Sequence, residues 1–494
     1  MKIKTLLHTF FYLSLIAVIF LSSCRKDENI STDPSLQLNF SNDSVIFDTV
    51  FTTMGSVTKR LMVYNKNNNA VKISSVRLAG GSNSPYRVNI DGSSGTEVRD
   101  IEISGNDSLF VFVRVTVDPV NDNLPLVVKD SVIFETNGNQ QDVDLIAWGQ
   151  DAHFIIGKRD STNTGLPPYK IIAGADENVH WTNDKPYVIV GYAVVDSLGF
   201  LTVDPGCRIH FYNNSGLWIY RHGGIQVNGT LEEPVTFQGV RLEDAYDNVP
   251  GQWDRIWINE SPVNSEFNYT VIKNGTIGIQ AETFTNGLGN TLFLNNTQIL
   301  NMQGWGIFTR FYNIEGNNLV VANSGSSLLN LTTGGKYQFR NSTFANYWGY
   351  GVRKDPLLHL SDYYIYFNGE EQLVYTGDVE MAYFGDCIFY GNLDNEIFLD
   401  KYPESTTLFN YQFDYSLLKT NDQGDEFFTN CIFNEDPIFM DTRVNDYHID
   451  SLSPVRNLGI PMGNEYDLDG VMRSETPDLG AYEWVPQEDD EELF

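Results

Sequence analysis

Basic residues are scarce in this chain. Lys and Arg together number 32 against 64 Asp and Glu, which gives a formal net charge of −32, and no block rich in Lys or Arg occurs. Nucleic acids and anionic lipid surfaces are bound through clustered positive charge, so the composition argues against both as partners. An extended polyanionic glycan would also be repelled, unless a local basic patch or a bridging cation intervened.

Cysteine is also rare, with four in the chain, at positions 24, 207, 387 and 431. The sequence has no CxxC motif and no His/Cys cluster at zinc-like spacing. The three cysteines after Cys24 are an odd number, which indicates a protein that does not rely on disulfides. Hydrophobic residues make up 41% of the 494 residues, so burial can stabilise two or three globular domains.

The first residues carry a targeting signal. Lys2 and Lys4 precede an apolar run over residues 6–21, which is too short and too early for an ordinary membrane span and ends in LSSC. This resembles a bacterial lipoprotein signal, whose cleavage leaves a diacylated N-terminal cysteine. We therefore expect a signal peptide over residues 1–23 and a lipid anchor at Cys24; an uncleaved membrane anchor with an incidental cysteine is the alternative.

A charged tether over residues 24–35 follows, beginning RKDEN after Cys24. The pattern resembles the export tag of lipoproteins that some diderm bacteria send to the outer face of the outer membrane. The resemblance implies an outer-membrane protein that faces the cell exterior. Ordinary linker composition, with the protein facing the periplasm, explains the same residues.

Residues 36–150 hold about seven short β-type runs separated by turn residues, with alternation in the longer runs. This pattern is typical of an immunoglobulin-like β-sandwich. The phrases GSVTKRLMVYN, NDSLFVFVRVTVDP and DSVIFETNGNQQDVDLIAWG resemble bacterial immunoglobulin-like modules that precede surface domains. Such modules mostly act as spacers, so we expect a spacer rather than a binding module.

The pattern changes after residues 151–194, which we expect to be a linker and the N-terminal cap of the next domain. Four apolar strand runs follow at close, even spacing, at 201–211, 216–219, 224–230 and 234–237. Their phrases resemble the opening coils of right-handed parallel β-helices. We therefore predict a right-handed parallel β-helix over residues 195–435.

A repeat supports this solenoid, since LNNTQILNMQGWGI at 294–307 returns as FRNSTFANYWGYGV at 339–352. Five segments share a frame with a hydroxyl or small residue four before, and an apolar residue two before, a turn position. A period of about 22 residues is typical of one coil per repeat, with those two positions in the core. The asparagines then bond turn backbone and are structural rather than catalytic. The turn positions are Asn274, Asn301, Asn323, Asn346 and the degenerate Gly391.

Two spacings in this frame carry further predictions. The last gap, of 45 residues, fits either two coils or one coil with an insertion. Cys387 and Cys431 are 44 residues apart, which suggests two coils. Two coils separate them by roughly 9–10 Å, too far for a disulfide.

Residues 436–484 contain the ordered phrases DPIF, DYHI, SPVRNLG, DLDGVMR and PDLGAYE. They resemble the closing segment of secreted or surface-anchored β-helix proteins of the pectate-lyase-like superfamily, a resemblance that covers residues 195–484. Asp467, Asp469 and Glu483 are most simply cap and turn residues, because a calcium site needs a fuller oxygen set. We therefore predict no metal or cofactor, with Ca²⁺ left open, and an acidic tail over 485–494.

Members of this superfamily often cleave acidic polysaccharides or hydrolyse glycosides with paired Asp/Glu. If the chain is an enzyme, the resemblance implies a polysaccharide lyase or a glycoside hydrolase. No compact cluster in the sequence names either chemistry, so the catalytic residues stay unknown. The groups Tyr220-Arg221-His222 and Trp253-Asp254-Arg255 are explained by a solvent-facing turn and by the opening of a coil.

The stretch GYGVRKD at 349–355 is the only locally basic turn of the predicted helix, and it leads into an aromatic segment that interrupts the period. Insertions on one side of a solenoid commonly build binding surfaces, and aromatic rings beside cations can stack on sugars. The alternative is a hairpin or an extra coil whose tyrosines pack on the helix. The candidate glycan contacts are Tyr350, Arg353, Lys354, His359, Tyr363, Tyr364 and Tyr366.

Two functions follow from these observations. One is a surface-exposed lipoprotein that binds or processes a carbohydrate, and the other is a non-catalytic surface scaffold or adhesin. The net charge of −32 favours a neutral or sparsely acidic glycan over a dense polyuronate.

Overall fold

The computed structural model describes residues 29–117, 126–160, 165–283, 291–369 and 371–486. The predicted signal peptide, Cys24, the tether up to residue 28 and residues 487–494 of the acidic tail lie outside the described residues. Regular structure within them is almost entirely β, which confirms the predicted all-β class. The chain divides into two compact units, Met1–Asp151 and Ala152–Phe494. Short 3₁₀ helices cover Gly81–Asn83, Asp244–Tyr246 and Thr442–Val444.

The first unit is a sandwich of two mainly antiparallel sheets around one hydrophobic core. Strand Asp107–Val115 shows the alternation expected of a half-buried strand, because Val111 and Val113 are buried while Phe110 and Phe112 are exposed. The two-sheet sandwich is present; its immunoglobulin-like topology stays a prediction.

The two sheets of the sandwich differ in size. One sheet contains Ile30–Ser31, Ala70–Leu78, Leu126–Thr136, Asn139–Gln150 and Ser44–Phe51 in that order, with Glu97–Ile103 paired to Ala70–Leu78. The other, which we call the five-stranded sheet, contains Asn39–Phe40, Lys59–Asn65, Asp107–Val115, Tyr86–Ile90 and Ser93–Gly95.

The second unit contains three long parallel sheets, of eleven, nine and ten strands within the described residues. Successive strands go to the three sheets in rotation, and each pairs in parallel with the strand one coil later. One hydrophobic core runs between the sheets, from Ile155 to Phe433. This arrangement is a parallel β-helix, so the predicted fold is confirmed.

Each of the three sheets is built from short strands, one from each coil. The eleven-stranded sheet contains His153–Ile156, Tyr187–Val190, Arg208–Phe211, Val235–Gly239, Thr270–Lys273, Gln298–Met302, Val320–Ser324, Thr343–Asn346, Ile388–Gly391, Leu417–Leu418 and Ile432–Phe433. The nine-stranded sheet contains Tyr169–Ala173, Tyr192–Val195, Gly216–Ile219, Ile256–Ile258, Ile279–Glu282, Ile307–Arg310, Leu329–Thr332, Leu358–Ser361 and Ile397–Asp400. The ten-stranded sheet contains Asn178–Trp181, Phe200–Val203, Gly224–Asn228, Ser265–Asn268, Thr291–Asn295, Asn313–Asn317, Gly335–Arg340, Val379–Gly385, Phe409–Asp414 and Phe428–Thr429.

The repeat frame lies on five consecutive strands of the eleven-stranded sheet. Parallel pairing places its apolar residues in one buried row: Ile272, Ile299, Val321, Phe344 and Phe389. The last two pair directly across the 45-residue gap. That gap is therefore one coil carrying an insertion.

Asparagines hold the turns at the ends of these strands. Asn301 and Asn323 have left-handed φ angles of 58° and 57°, a conformation that asparagine tolerates better than most residues. Asn323 Oδ1 accepts a bond of 3.0 Å from the backbone N–H of Tyr347 in the next coil. On the ten-stranded sheet, Asn317 Nδ2 donates to Asn295 Oδ1 at 3.1 Å. These bonds confirm the structural role predicted for the repeat.

Two details concern the limits of the helix and its cysteines. Strand His153–Ile156 already belongs to the eleven-stranded sheet, so residues 151–194, expected as linker and cap, contribute the first strands. Cys387 and Cys431 are free thiols and precede strands that are separated by Leu417–Leu418. They are thus two coils apart, as their spacing predicts.

Candidate functional site

The aromatic segment that interrupts the period forms a β-hairpin over residues 363–376 on the flank of the helix. Strands Tyr363–Asn368 and Glu371–Thr376 pair antiparallel, with Tyr364 opposite Tyr375 and Tyr366 opposite Leu373. The backbone N–H of Gly377 donates to the Asp362 carbonyl at 2.9 Å, which closes the base of the hairpin. The strands before and after it, Leu358–Ser361 and Val379–Gly385, keep their places in the helix sheets.

One face of the hairpin presents three tyrosines, because alternate residues of an antiparallel pair share a face. Tyr364, Tyr366 and Tyr375 line a groove of about 290 Å³. Tyr366 is 48% and Tyr375 49% exposed, so both ring systems are open to a ligand. The volume is at the lower end for small-ligand sites. The other lining residues are Thr283, Arg310, Phe311 and Thr333; we call this site the tyrosine groove.

Arg310 is held in the tyrosine groove by a buried carboxylate. Its Nε donates to Glu282 Oε2 at 2.8 Å, and a second bond comes from Nη2. Trp257 Nε1 donates to Glu282 Oε1 at 2.6 Å, and the Glu282 side chain is only 1% exposed. The Arg310 guanidinium lies 4.8 Å from the centre of the Tyr364 ring, within cation–π range. The groove thus has a positioned but largely neutralised cation.

The nine-stranded sheet supplies the floor beside the groove. Its alternate residues point away from the core and lie in register over successive coils. Trp218 and Trp257 stack with ring centres 4.6 Å apart. The ring centre of Phe308 lies 6.4 Å from that of Tyr364. The row contains Trp218, Trp257, Gln280, Phe308, Asn330, His359 and Phe398.

Two of the predicted residues lie near Asp400 instead: Tyr363 on the other face of the hairpin, and His359 on strand Leu358–Ser361 of the nine-stranded sheet. Tyr363 donates its hydroxyl to Asp400 Oδ2 at 2.6 Å, and this bond raises the pKa of Tyr363 to about 12. His359 stacks on Phe398, with ring centres 5.2 Å apart. Its Nε2 lies 3.6 Å from Asp400 Oδ2, too far for a hydrogen bond. Burial lowers the pKa of His359, against the opposing effect of Asp400, so the imidazole is neutral at pH 7.

The remaining three predicted residues are not brought together with the tyrosines. Arg353 is 6% exposed and forms a two-pronged ion pair with Glu396, with one bond of 2.7 Å. It is therefore unavailable to a surface ligand, contrary to expectation. Lys354 is exposed. Tyr350 is 58% exposed, but its hydroxyl bonds the carbonyl of Asn248 at 3.0 Å, in a different loop.

No carboxylate is among the groove residues that the structure describes. Glycoside hydrolysis needs two carboxyl groups about 5–9.5 Å apart across the scissile bond. Glu282 lies behind Arg310 and has both oxygens engaged. The described groove lining thus does not contain the pair of carboxyl groups that this chemistry needs.

The acids of the closing segment serve turns. Asp467 accepts backbone N–H bonds from Asp469, Val471 and Glu483 at 2.7 to 2.9 Å. Asp469 accepts from His448 Nε2 at 2.7 Å. No cluster of three or more metal-ligating side chains occurs among the described residues.

The other two sequence groupings are explained by packing and ion pairs. Trp253 is 1% exposed and part of the core, while Asp254 and Arg255 pair at 2.9 Å. Arg221 pairs with the fully buried Glu260.

Within the described residues, no helix is long and apolar enough to cross a membrane.

The predicted contacts did not include five residues of the groove, Thr283, Arg310, Phe311, Thr333 and Tyr375. A signal for Arg310 exists, because Glu282 and Arg310 pair on consecutive strands of the nine-stranded sheet. The repeat frame aligned only the strands of the eleven-stranded sheet. Aligning the next strand of each coil as well would have placed these opposite charges at equivalent positions and marked the pair. The two threonines and the phenylalanine lie just after strands and carry no comparable pattern.

Comparisons with known proteins show limited similarity. No protein-family model and no curated protein matches the chain. A family 123 glycoside hydrolase from Clostridium perfringens is 7% identical, with a TM-score of 0.18 over 24% of this chain and 30% of that chain. A PapD-like domain of human CEP192 is 15% identical, with a TM-score of 0.16 over 26% of this chain and 95% of that chain. The E. coli chaperone DraB is 11% identical, with a TM-score of 0.17 over 24% of this chain and 55% of that chain. Similarities at these TM-scores carry no conclusion about function.

Proposed function

We propose that this chain is a lipid-anchored outer-membrane protein, facing the cell exterior, whose β-helix binds a carbohydrate in the tyrosine groove. The observation that carries the proposal is the half-exposed pair Tyr366 and Tyr375 on one face of an inserted hairpin. Solvent-exposed aromatic rings in a concave site offer apolar faces to the C–H faces of a sugar, while the tyrosine hydroxyls bond its hydroxyl groups.

The charge of the site points to the class of glycan. Arg310 is paired with Glu282, and no further cation lines the described groove. The chain as a whole carries −32. A neutral or sparsely acidic glycan therefore fits the groove better than a dense polyuronate, which the protein would repel.

The absence of a carboxylate from the described groove lining favours binding without cleavage over hydrolysis.

The membrane anchor rests on residues 1–29, where LSSC is followed by RKDEN. A non-catalytic scaffold or adhesin is the competing function, and the same hairpin would then meet a protein partner.

The test is glycan-array screening of the purified chain with paired variants. Tyr364→Ala/Tyr366→Ala should weaken binding about tenfold or more, since each well-packed aromatic contributes on the order of 1 kcal/mol. Phe367→Ala is the matched control, because Phe367 is 67% exposed on the opposite face of the same hairpin. Binding that is indifferent to the tyrosine pair, or no binding to any glycan, would leave the scaffold function instead.

A further inference from the structure

The outer face of the five-stranded sheet combines aromatic and basic side chains. Strand pairing places Arg60 opposite Phe112, and Arg114 opposite Arg87. The alternate residues of these strands, such as Leu61 and Val113, are fully buried in the sandwich core. The arginines and phenylalanines therefore all point away from the core. We call this surface the arginine face.

Two large aromatic side chains on this face remain open to solvent. Phe110 is 42% and Phe112 40% exposed. Their rings are stacked with centres 6.1 Å apart and an interplanar angle of 18°. The Arg60 guanidinium lies 5.2 Å from the centre of the Phe110 ring. The result is a pair of half-exposed, stacked rings bordered by a cation.

The arginine face collects positive charges that no ion pair among the described residues neutralises. Like charges directly opposite each other on neighbouring strands are destabilising, as for Arg87 and Arg114. Within the described residues, the ion pairs of the sandwich use Lys59, Lys72, Arg77 and Arg99 as their cations, and none uses the three arginines of this face.

Arg87 is held in place by the backbone. Its Nη1 donates to the carbonyls of Ser84 and Tyr86 at 2.5 and 2.7 Å, and these neutral acceptors leave its charge uncompensated. An anion between Arg87 and Arg114 would relieve their repulsion.

The face also contains a shallow depression of about 580 Å³. Its lining includes two arginines, one phenylalanine ring and several uncharged polar side chains. Arginine clusters also bind acidic peptides, but this depression adds an amide, hydroxyls and an open ring face, which match sugar rings that carry acid groups. The lining residues that matter are Thr58, Arg87, Asn89, Ser94, Phe112 and Arg114.

We propose that the arginine face binds an anionic polysaccharide, with a sulfate or carboxylate between Arg87 and Arg114 and a sugar ring on Phe112. The site lies in the N-terminal sandwich, so it is separate from the tyrosine groove and does not depend on it. It is the local exception to the overall repulsion of polyanions by this acidic protein. The sandwich is then a binding module rather than a spacer.

The experiment measures binding of the detergent-solubilised full chain to heparin and to polygalacturonate by affinity electrophoresis, with neutral dextran as reference. Arg87→Gln/Arg114→Gln should weaken binding to the better anionic probe at least tenfold. Lys72→Gln/Lys129→Gln, which removes the same charge from the other sheet, should change it less than twofold. Wild-type binding should fall steeply with added salt, because the contacts are ionic.

Thermal unfolding separates a binding site from a structural one. Since the arginine substitutions remove a like-charge pair but also the two bonds from Arg87 to backbone carbonyls, the variant should have a Tm close to that of the wild type. The proposal is overturned if neither anionic probe binds, if both double variants weaken binding equally, or if the arginine variant loses binding only through a lowered Tm. It is also overturned if poly-glutamate or anionic phospholipid vesicles bind this face more tightly than both polysaccharides.

Discussion

The side chains of Arg353 and Glu396 form a buried ion pair, with 3% and 0% of their surfaces exposed. Glu396 Oε2 also accepts the backbone N–H of Leu357 at 3.0 Å. The pair therefore joins the basic turn to a strand connection 43 residues further along the chain. Breaking such a pair leaves one buried charge without its partner, which costs far more than the loss of a surface pair.

Arg353→Met should accordingly destabilise the protein by about 3–5 kcal/mol, because Glu396 is left uncompensated. The neighbouring exposed Lys354 provides the control, since Lys354→Met should stay within about 0.5 kcal/mol of the wild type. Urea denaturation of both variants measures the free energy of unfolding. Equal effects for the two substitutions would contradict the structural role of Arg353.

A second residue-scale feature is a column of left-handed turn residues beside the ten-stranded sheet. Asn296, Asn318 and Asn341 have φ angles of 49°, 52° and 47°, and Asp386 continues the column with 54°. Asp386 Oδ2 accepts the backbone N–H of Ile460 at 3.0 Å. Burial raises the pKa of Asp386 to about 7, because the carboxylate is desolvated under the closing segment.

Asp386→Asn should therefore change the dependence of stability on pH. A folded-state pKa above the unfolded value of 3.8 means that wild-type stability is lost as pH rises from about 4 to about 7. The neutral asparagine, which fits the left-handed turn, removes that loss. Relative to wild type, the variant should gain on the order of 4 kcal/mol between pH 4 and pH 8, since the shift from 3.8 to about 7 is about three pKa units of about 1.4 kcal/mol each. Thermal denaturation across this range measures the difference, and parallel stability curves would show that Asp386 does not titrate as described.

At the scale of elements, the helix and its hairpin depend on different contacts. Strand Leu358–Ser361 pairs with Leu329–Thr332 on one side and Ile397–Asp400 on the other. Strand Val379–Gly385 pairs likewise with strands of the coils before and after it. The hairpin between them pairs only with itself in the described structure, so the coil does not require it.

Replacing residues 363–376 by a short Gly/Asn/Ser turn should leave the β-helix folded. The bond of 2.9 Å from the Gly377 N–H to the Asp362 carbonyl brings the two ends close enough for such a turn. Far-UV circular dichroism and urea denaturation should show less than about 2 kcal/mol of destabilisation, typical of surface changes that spare the core. Binding of neutral glycans, which we assign to the tyrosine groove, should disappear. An unfolded variant would mean that the hairpin is part of the solenoid.

At the scale of the whole molecule, two compact units with separate cores share one chain. The proposed functions are distributed between them, with the tyrosine groove on the helix and the arginine face on the sandwich. Both sites belong to a chain that we propose to be tethered by lipid at Cys24, which holds them at the cell surface.

Cys24→Ala should release the protein from the membrane fraction, because the lipid on Cys24 is the only attachment to the membrane in this proposal. Fractionation of cells that express wild type and variant, with immunodetection of the chain, measures the distribution. Cys207→Ala is the control, since Cys207 is a buried thiol of the helix core. A variant that stays with the membrane would refute the lipid anchor.

Local sequence patterns were enough to predict the all-β class, the parallel solenoid and the structural role of its asparagines. These are repeated features: strand alternation has a period of two, and each coil places the same residue types at the same phase. Because Ile299, Val321 and Phe344 occupy equivalent positions, one alignment of the repeat was enough to place them in the core.

Which candidate residues share a site depends instead on tertiary packing. Arg353 meets Glu396 across 43 residues and Arg310 meets Glu282 across 28, pairings set by coil stacking and by the side on which the hairpin folds. Tyr363 and Tyr364 are neighbours in sequence, yet they line opposite faces because a strand alternates its side chains. Strand alternation separates such neighbours once the strands are aligned, but which coils meet and on which side the hairpin folds is selected by the free energy of packing between distant coils.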